Sequence, residues 1–538
     1  MKTVHADHVP FLFRNLLLSL EESEDTIPAR LRERFSLGSD EPCSVKVIRK
    51  GIDARKKNRV KRVYTVEFSV IDPHAFWKRH SADPDLEQVI KTVPPCFRPI
   101  RSHAKIIIVG SGPAGLFAAL RLQEYGLSPL LLERGRAMEE RVNDVNSFWS
   151  SALLNEESNI QFGEGGAGTF SDGKLTTRVR DTNIGYVLSK LVAFGAPPEI
   201  GWLAKPHIGT DQLRSLVVNI RRFLESRGVE IRFRAKLTGM QLSAGRIGAV
   251  VINDNSEEPC DHLLLAPGHS SRDTYEMLHE HGVPLEAKPF AVGLRIEHPQ
   301  ELINRIQYGL PCHPNLPPAD YSLAYNDART GRSAYSFCMC PGGVVVAGSS
   351  EMGGVVTNGM SSYGRNSSLA NSALVATVQR QDFKGDSPLA GIAFQRMLEK
   401  RAFHLGGDNY FAPAQNLIAF LEGKQGPAPV SSYRPGVRGA DLAELLPDFV
   451  TATLRDGIAA FERKMRGFIT VEATLTGVES RTSAPVRILR GQDLQSIGVE
   501  GLFPCGEGAG YAGGIMSAAL DGIRVADAIA AKCGETAY

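Results

Sequence analysis

One stretch of the chain, IIIVGSGPAGLFAALRLQEYG (residues 106–126), constrains the fold more than any other. Its apolar run shows no alternation, which is the pattern of a strand buried on both faces of a parallel sheet. Gly110, Gly112 and Gly115 follow at Gly-x-Gly-x-x-Gly spacing, with Pro113 and Ala114 opening a helix. In such a turn Gly110 permits the tight bend, Gly112 lets the backbone approach a pyrophosphate, and Gly115 lets the helix pack closely on the strand. The helix N-terminus presents free N–H groups to the phosphates. A second strand, SPLLLE (Ser128 to Glu133), ends at Glu133, 18 positions beyond Gly115. A carboxylate there can accept from ribose hydroxyls and disfavours a 2′-phosphate. Strand, helix, strand and acid in this order specify a dinucleotide-binding unit. Arg134 and Arg141 follow on the next connection, where an arginine can reach a pyrophosphate as a charge-assisted donor.

The chain has 538 residues, too many for one core, so two or three domains are expected. A formal charge of +2 gives no global pull toward nucleic acid or anionic membrane. No run approaches the ~18 apolar residues of a membrane span, and the N-terminus lacks the layout of a signal peptide. A cytoplasmic protein with no membrane partner is expected. Eight cysteines, Cys96 among them, show neither zinc-type spacing nor a Cys-x-x-Cys pair, so no metal site is expected.

Residues 1–95 read as a small α+β domain. Pro10 to Phe35 has helical spacing of Leu and Phe, and Ser44 to Ile48 and Arg62 to Val70 alternate like half-buried strands. Lys91 to Ala104 is a Pro-rich linker. Alternating strands and helices then fill residues 100–280. Residues 281–474 are less regular and read as an inserted α+β substrate domain. Residues 475–538 return to a strand, GLFPCGEG, and a final helix. The expected fold class is α/β, a Rossmann-like domain split by that insertion.

These residues resemble the two-dinucleotide-binding-motif flavoproteins of the glutathione-reductase-like superfamily. The blocks IQFGEGGAGTFSDGKLTTR, KPHIGTDQL, APGHSSRDTY and FCMCPGG resemble, more narrowly, a bacterial family of FAD-dependent dehydrogenases or oxidoreductases, over nearly the whole chain. The resemblance implies FAD as cofactor. It implies that Gly506 and Glu507 meet the ribityl chain, and that the helix opening at Gly514 and Ile515 faces the flavin pyrimidine edge, where a helix N-terminus stabilises negative charge. It further implies that the loop of Gly165, Gly166 and Gly168 lies along the flavin and that Leu237 offers backbone bonds to adenine. In HLLLAPG, Pro267 stands where Thr is usual, so Pro267 and Gly268 are assigned backbone contact only. A broader likeness to flavoproteins that modify tRNA uridine is one of fold, which does not settle function.

Four residues are candidates for chemistry. Lys174 can offer charge to flavin or substrate. His207 precedes a helix expected to be capped by Thr210 or Asp211. Cys338 and Cys340, two apart in a strand, share a face. Each has a plainer reading as a solvated lysine, a structural histidine or packed thiols. No second strand–Gly-x-Gly-x-x-Gly–helix unit is present, so NAD(P)H is expected only as a transient reductant. The expectation is an FAD-dependent oxidoreductase that moves a hydride between flavin and a small organic substrate. The alternatives are an RNA-modifying flavoprotein using the nine Lys and Arg between Lys46 and Arg62, with nucleic acid otherwise not an expected partner, and a non-catalytic FAD-bound scaffold. The sequence does not set an oligomeric state.

Overall fold

The computed structural model describes residues 9–57, 59–89, 97–426 and 429–535. Residues 91–96 of the expected linker, with Cys96, lie outside the described residues.

The N-terminal unit is an antiparallel sheet in the order Ser44–Asp53, Lys61–Ser69, Phe11–Ser19, Leu86–Gln88. Helices Ile27–Phe35 and Pro73–His80 bring Phe35 and Phe76 onto Phe11 and Phe68, with ring centroids 4.7 to 6.0 Å apart. The helix expected over Pro10 to Phe35 is therefore a strand for its first part. The cause is a bulge between Phe13 and Leu16, where Asn15 takes φ 57°. The slip sets the buried residues at Phe11, Phe13, Leu16 and Leu18. A two-residue period broken once by an extra residue imitates helical spacing.

The second unit is a parallel sheet in the order Leu502–Pro504, His262–Leu265, Ile106–Val109, Leu130–Leu132, Glu230–Arg232. Its edge strand comes from the far end of the chain, and the helix Ile515–Glu535 packs on Pro113–Glu124.

The residues between the two parts of this unit in the chain form a seven-stranded sheet with Arg332–Cys340, Leu369–Val378, Phe290–Pro299 and Thr474–Glu479 as successive neighbours. The chain enters this region through Leu285–Ala287 and leaves through Val486–Ile488, and these two strands pair antiparallel. Among the described residues no helix is long and apolar enough to cross a membrane.

The helix after His207 spans Thr210–Ser226 and is capped by Gly209, not by Thr210 or Asp211. Thr210 Oγ1 instead donates to Thr169 O at 2.7 Å, and Asp211 accepts from Tyr363 N at 2.8 Å. Both side chains tie the helix start to neighbouring loops.

Candidate functional site

A cavity of about 360 Å³ runs between the parallel sheet and the seven-stranded sheet. One end is formed by Gly110, Gly112, Pro113, Ala114 and Glu133, with Leu237, Pro267 and Gly268 beside them. Gly110 has φ +98°, and a Cβ there would sit 2.2 Å from Ala266 O. Gly112 differs: its φ is −72°, and a Cβ would meet only Gly166 Cα, at 3.9 Å. Its missing side chain leaves open space over the N-terminus of Pro113–Glu124. That is a cradle for phosphates, and the turn fits a dinucleotide. Gly115 lies behind it, where a Cβ would stand 1.9 Å from Gly110 O.

Glu133 lines the cavity and is buried. Its carboxylate accepts from Ser111 N at 2.9 Å, Ser111 Oγ at 2.7 Å, Gly135 N at 2.9 Å and Gly163 N at 3.0 Å. Four bonds fill a carboxylate's lone-pair sites, so a ribose hydroxyl would have to displace one of these donors to bond it. Arg134 also lines the cavity. It pairs with Asp273 at 2.8 and 2.9 Å and with Glu157 at 2.7 Å, and it lies over the Phe162 ring.

Arg141, expected to contact the pyrophosphate, is not among the residues that line the cavity. It is fully buried. It donates to Asn159 O at 2.9 Å, Gly163 O at 3.3 Å, Glu164 O at 2.6 Å and Gly166 O at 3.0 Å. It braces the glycine loop from behind. Gly165 turns that loop at φ +84° away from the cavity, while Gly166 and Gly168 line it. Glu507, Gly514 and Ile515 also line it, with Ile515 against Gly168. Gly506 stands behind them and donates its N–H to Asp521 at 2.7 Å.

The other end holds a cluster of ionisable groups. Asp172 accepts from Arg365 at 2.7 and 3.0 Å and pairs with Lys174 Nζ at 2.8 Å. Burial works against both charges, but these cations outweigh it and hold Asp172 well below the usual carboxylate range. Burial likewise opposes the Lys174 charge, and Cys340, Asp172 and Cys338 overcome it, so the ammonium stays protonated. Cys338 lines the cavity. A bulge between Phe337 and Cys340 breaks the expected two-residue register, and Cys338 takes φ 45°. The Cys340 thiol donates to Cys338 O at 3.3 Å. The hydrogen bond from Cys340, together with Lys174 and Arg295, pulls the Cys338 thiol below the usual range, while Cys340 is pushed above it.

His207 is outside the cavity lining. Its Nε2 lies 3.0 Å from Tyr363 O, its ring stacks on Tyr363, and its backbone bridges to Lys174. Burial lowers its pKa, so it is a neutral brace for the Lys174 segment.

Several lining residues were not anticipated from the sequence. Glu479, on the strand beside Phe290–Pro299, pairs with Arg295 at 3.1 and 3.2 Å. Burial raises its pKa to about 7 against that pull. Arg481 donates to Glu399 at 3.1 and 3.0 Å, and Glu399 also holds Arg272 at 2.8 and 2.9 Å. His269 is kept neutral by burial, its pKa lowered to about 4. An arginine inside the otherwise apolar AVGLRIE was the one available signal for the Arg295 pair.

Residues 104–293 match the family model described as pyridine nucleotide-disulphide oxidoreductase. Residues 289–482 match the one described as FAD-dependent protein, C-terminal domain-like, and residues 14–69 match a domain of unknown function. A protein of Clostridium beijerinckii, titled "Uncharacterized protein", is 46% identical over 526 residues, covering 96% of this chain and 98% of that one. This chain belongs to the FAD-dependent oxidoreductase family. The flavoprotein is also similar to the flavin-dependent brominase Bmp2, at TM-score 0.37 and 12% identity over 80% of this chain and 79% of that one. It is similar to CtdE in complex with FAD at TM-score 0.31 and 12% identity, over 82% and 92%. At those TM-scores neither likeness carries an argument about substrate. The family accounts for the α/β architecture, an FAD-binding domain with a small domain before it and a further domain after, and the Gly112 cradle fits that cofactor.

Proposed function

We propose that this flavoprotein is an oxidoreductase that moves a hydride between FAD and a small organic substrate admitted beside the seven-stranded sheet. The observation that carries the reading is one cavity with a phosphate cradle at Gly110–Ala114 and ionisable side chains at its other end. Bound FAD would supply the two-electron chemistry that no side chain here provides.

The N–H groups of the turn and of Pro113–Glu124 receive the pyrophosphate. Glu133 and the Leu237 backbone hold the adenosine half. Gly166, Gly168, Pro267 and Gly268 supply close backbone approach, and Glu507, Gly514 and Ile515 take the ribityl and pyrimidine side. On the substrate side Lys174 presents a fixed positive charge. Glu479, with its pKa at about 7, can give or take a proton near neutrality. NAD(P)H serves as a transient reductant, or the substrate itself reduces the flavin.

The RNA reading has less support. Of the nine basic residues, Lys50 and Arg62 face Glu24 and Arg55 pairs with Asp53.

The test is anaerobic reduction of the purified protein, following the flavin absorption band with NADH, NADPH and a panel of metabolites. Bleaching by any donor within turnover times supports the oxidoreductase reading. FAD retained with no donor able to bleach it sinks that reading and leaves the scaffold.

A further inference from the structure

Cys338 and Cys340 are separated by one residue, and a regular strand would hold their Cα atoms about 6.6 Å apart. That is near the upper limit for a disulfide. This strand is not regular there. The extra residue between Phe337 and Cys340 and the left-handed backbone at Cys338 bulge the chain out of the two-residue register. The Cys340 sulfur then comes within 3.3 Å of Cys338 O. The register break therefore turns the Cys340 sulfur onto Cys338 and takes the pair out of regular extension.

The surroundings favour a thiolate. Lys174 and Arg295 both act on the pair. Each cation is anchored by its own acid, Asp172 for Lys174 and Glu479 for Arg295. Arg295 also donates to Cys338 O at 3.0 Å, which pins the strained residue. Cys338 opens into the cavity, whose lining includes Glu507, Gly514 and Ile515 on the wall assigned to the flavin. Its charge is felt at Glu507. Simple packing of two thiols needs neither the register break nor the two cations.

We propose that Cys338 and Cys340 form a redox-active pair that exchanges two electrons with the bound FAD, making the holoprotein a store of two two-electron centres. This rests on the FAD site proposed above. In the oxidising direction an S–S bond forms between Cys338 and Cys340. The Cys338 thiolate and the Cys340 thiol give up two electrons and one proton. The oxidised FAD takes both electrons and that proton, so no further oxidant enters. The reverse step breaks the S–S bond with electrons from reduced FAD.

The experiment is an anaerobic dithionite titration of air-oxidised holoprotein, with FAD content measured in the same sample. It is paired with alkylation under denaturing conditions and mass mapping of the peptide that carries both cysteines. The wild type is expected to take up four electrons per FAD, with the oxidised peptide lighter by two hydrogens and unalkylated. Cys338→Ser and Cys340→Ser are each expected to bind FAD and take up two. Uptake of two electrons by the wild type, with both thiols alkylated, overturns the proposal. So does uptake of four with the disulfide mapped to other cysteines. Protein that holds no FAD, even after reconstitution, overturns the cofactor assignment first and this inference with it.

Discussion

Replacing Gly112 by Ala separates the cofactor role of the turn from its structural role. The backbone at Gly112 has φ −72°, which any residue adopts, and the new methyl would meet only Gly166 Cα at 3.9 Å. Alanine is less favourable than glycine at an N-cap by about 0.5–1 kcal/mol, and the reduced freedom of the unfolded chain offsets about 0.4–1 kcal/mol of it. The FAD-free protein should therefore melt within about 2 °C of wild type. The methyl points into the space where a pyrophosphate must approach the helix N-terminus. Pushing the phosphates back breaks one or two charge-assisted hydrogen bonds, each about 1.5–3 kcal/mol. A loss of about 3 kcal/mol weakens FAD binding by about a hundredfold. Gly115→Ala is the control: its methyl would lie 1.9 Å from Gly110 O, backbone that cannot turn aside. It should destabilise the FAD-free fold by about 3 kcal/mol or more. Thermal unfolding without FAD and a fluorescence titration with FAD measure both quantities. The reasoning is refuted if Gly112→Ala binds FAD within threefold of wild type, or if it lowers the FAD-free melting temperature as much as Gly115→Ala does.

Three further perturbations have definite signs. Arg141→Ala should cost about 3–5 kcal/mol, because four buried charge-assisted hydrogen bonds to loop carbonyls are lost and Asn159 O is left without a donor among the described residues, and urea unfolding should register the loss with or without FAD. A loss confined to the FAD-bound form would restore the pyrophosphate contact. Glu399→Gln leaves Arg272 and Arg481 as two buried cations without their shared anion, and should destabilise by about 3–5 kcal/mol; a neutral result in chemical denaturation would contradict the burial of that network. Burial raises the folded-state pKa of Glu507 to about 7 from 4.5, with Lys288 opposing. The folded chain then holds this proton more tightly than the unfolded chain, so its contribution to stability falls as pH rises from about 4.5 to 7 and stays low above that. FAD-free Glu507→Gln should gain on wild type between pH 5 and pH 8 in denaturant unfolding, and a gap that stays constant with pH counts against the raised pKa.

The dinucleotide turn was legible because its constraints are local. Gly110 and Gly115 answer to atoms within a few residues or beside the adjacent strand, and Gly112 is set by its place at the helix N-cap. The Arg295–Glu479 pair was not legible, since its members are 184 positions apart and meet only through strand adjacency in the seven-stranded sheet. The Arg272–Glu399–Arg481 network joins three separate segments and left no mark on any one of them. Two misreadings share a cause. The N-terminal strand and the Cys338 strand each carry a bulge, and one extra residue flips a two-residue period beyond it.

Arg141 is different, because the sequence did hold its answer. The buried residues of Met138–Ser151 are Met138, Arg141, Val145 and Phe148, spaced as one apolar helix face. An arginine on that face cannot be a surface residue reaching for a ligand. Its donors must find partners in the interior, and an irregular, glycine-rich loop offers the carbonyls that no helix or strand satisfies. Arg121 obeys the same logic. It lies on the buried helix Pro113–Glu124 and is 2% exposed. Its guanidinium sits between the Phe97 and Tyr186 rings, at 4.5 and 4.4 Å, and donates to Asn183. In this fold a charged residue found on an apolar stripe therefore reads as a brace for neighbouring backbone or rings. The charges that line the cavity, Lys174, Glu479 and Glu507 among them, come from loops and strand ends, where no stripe exists to bury them.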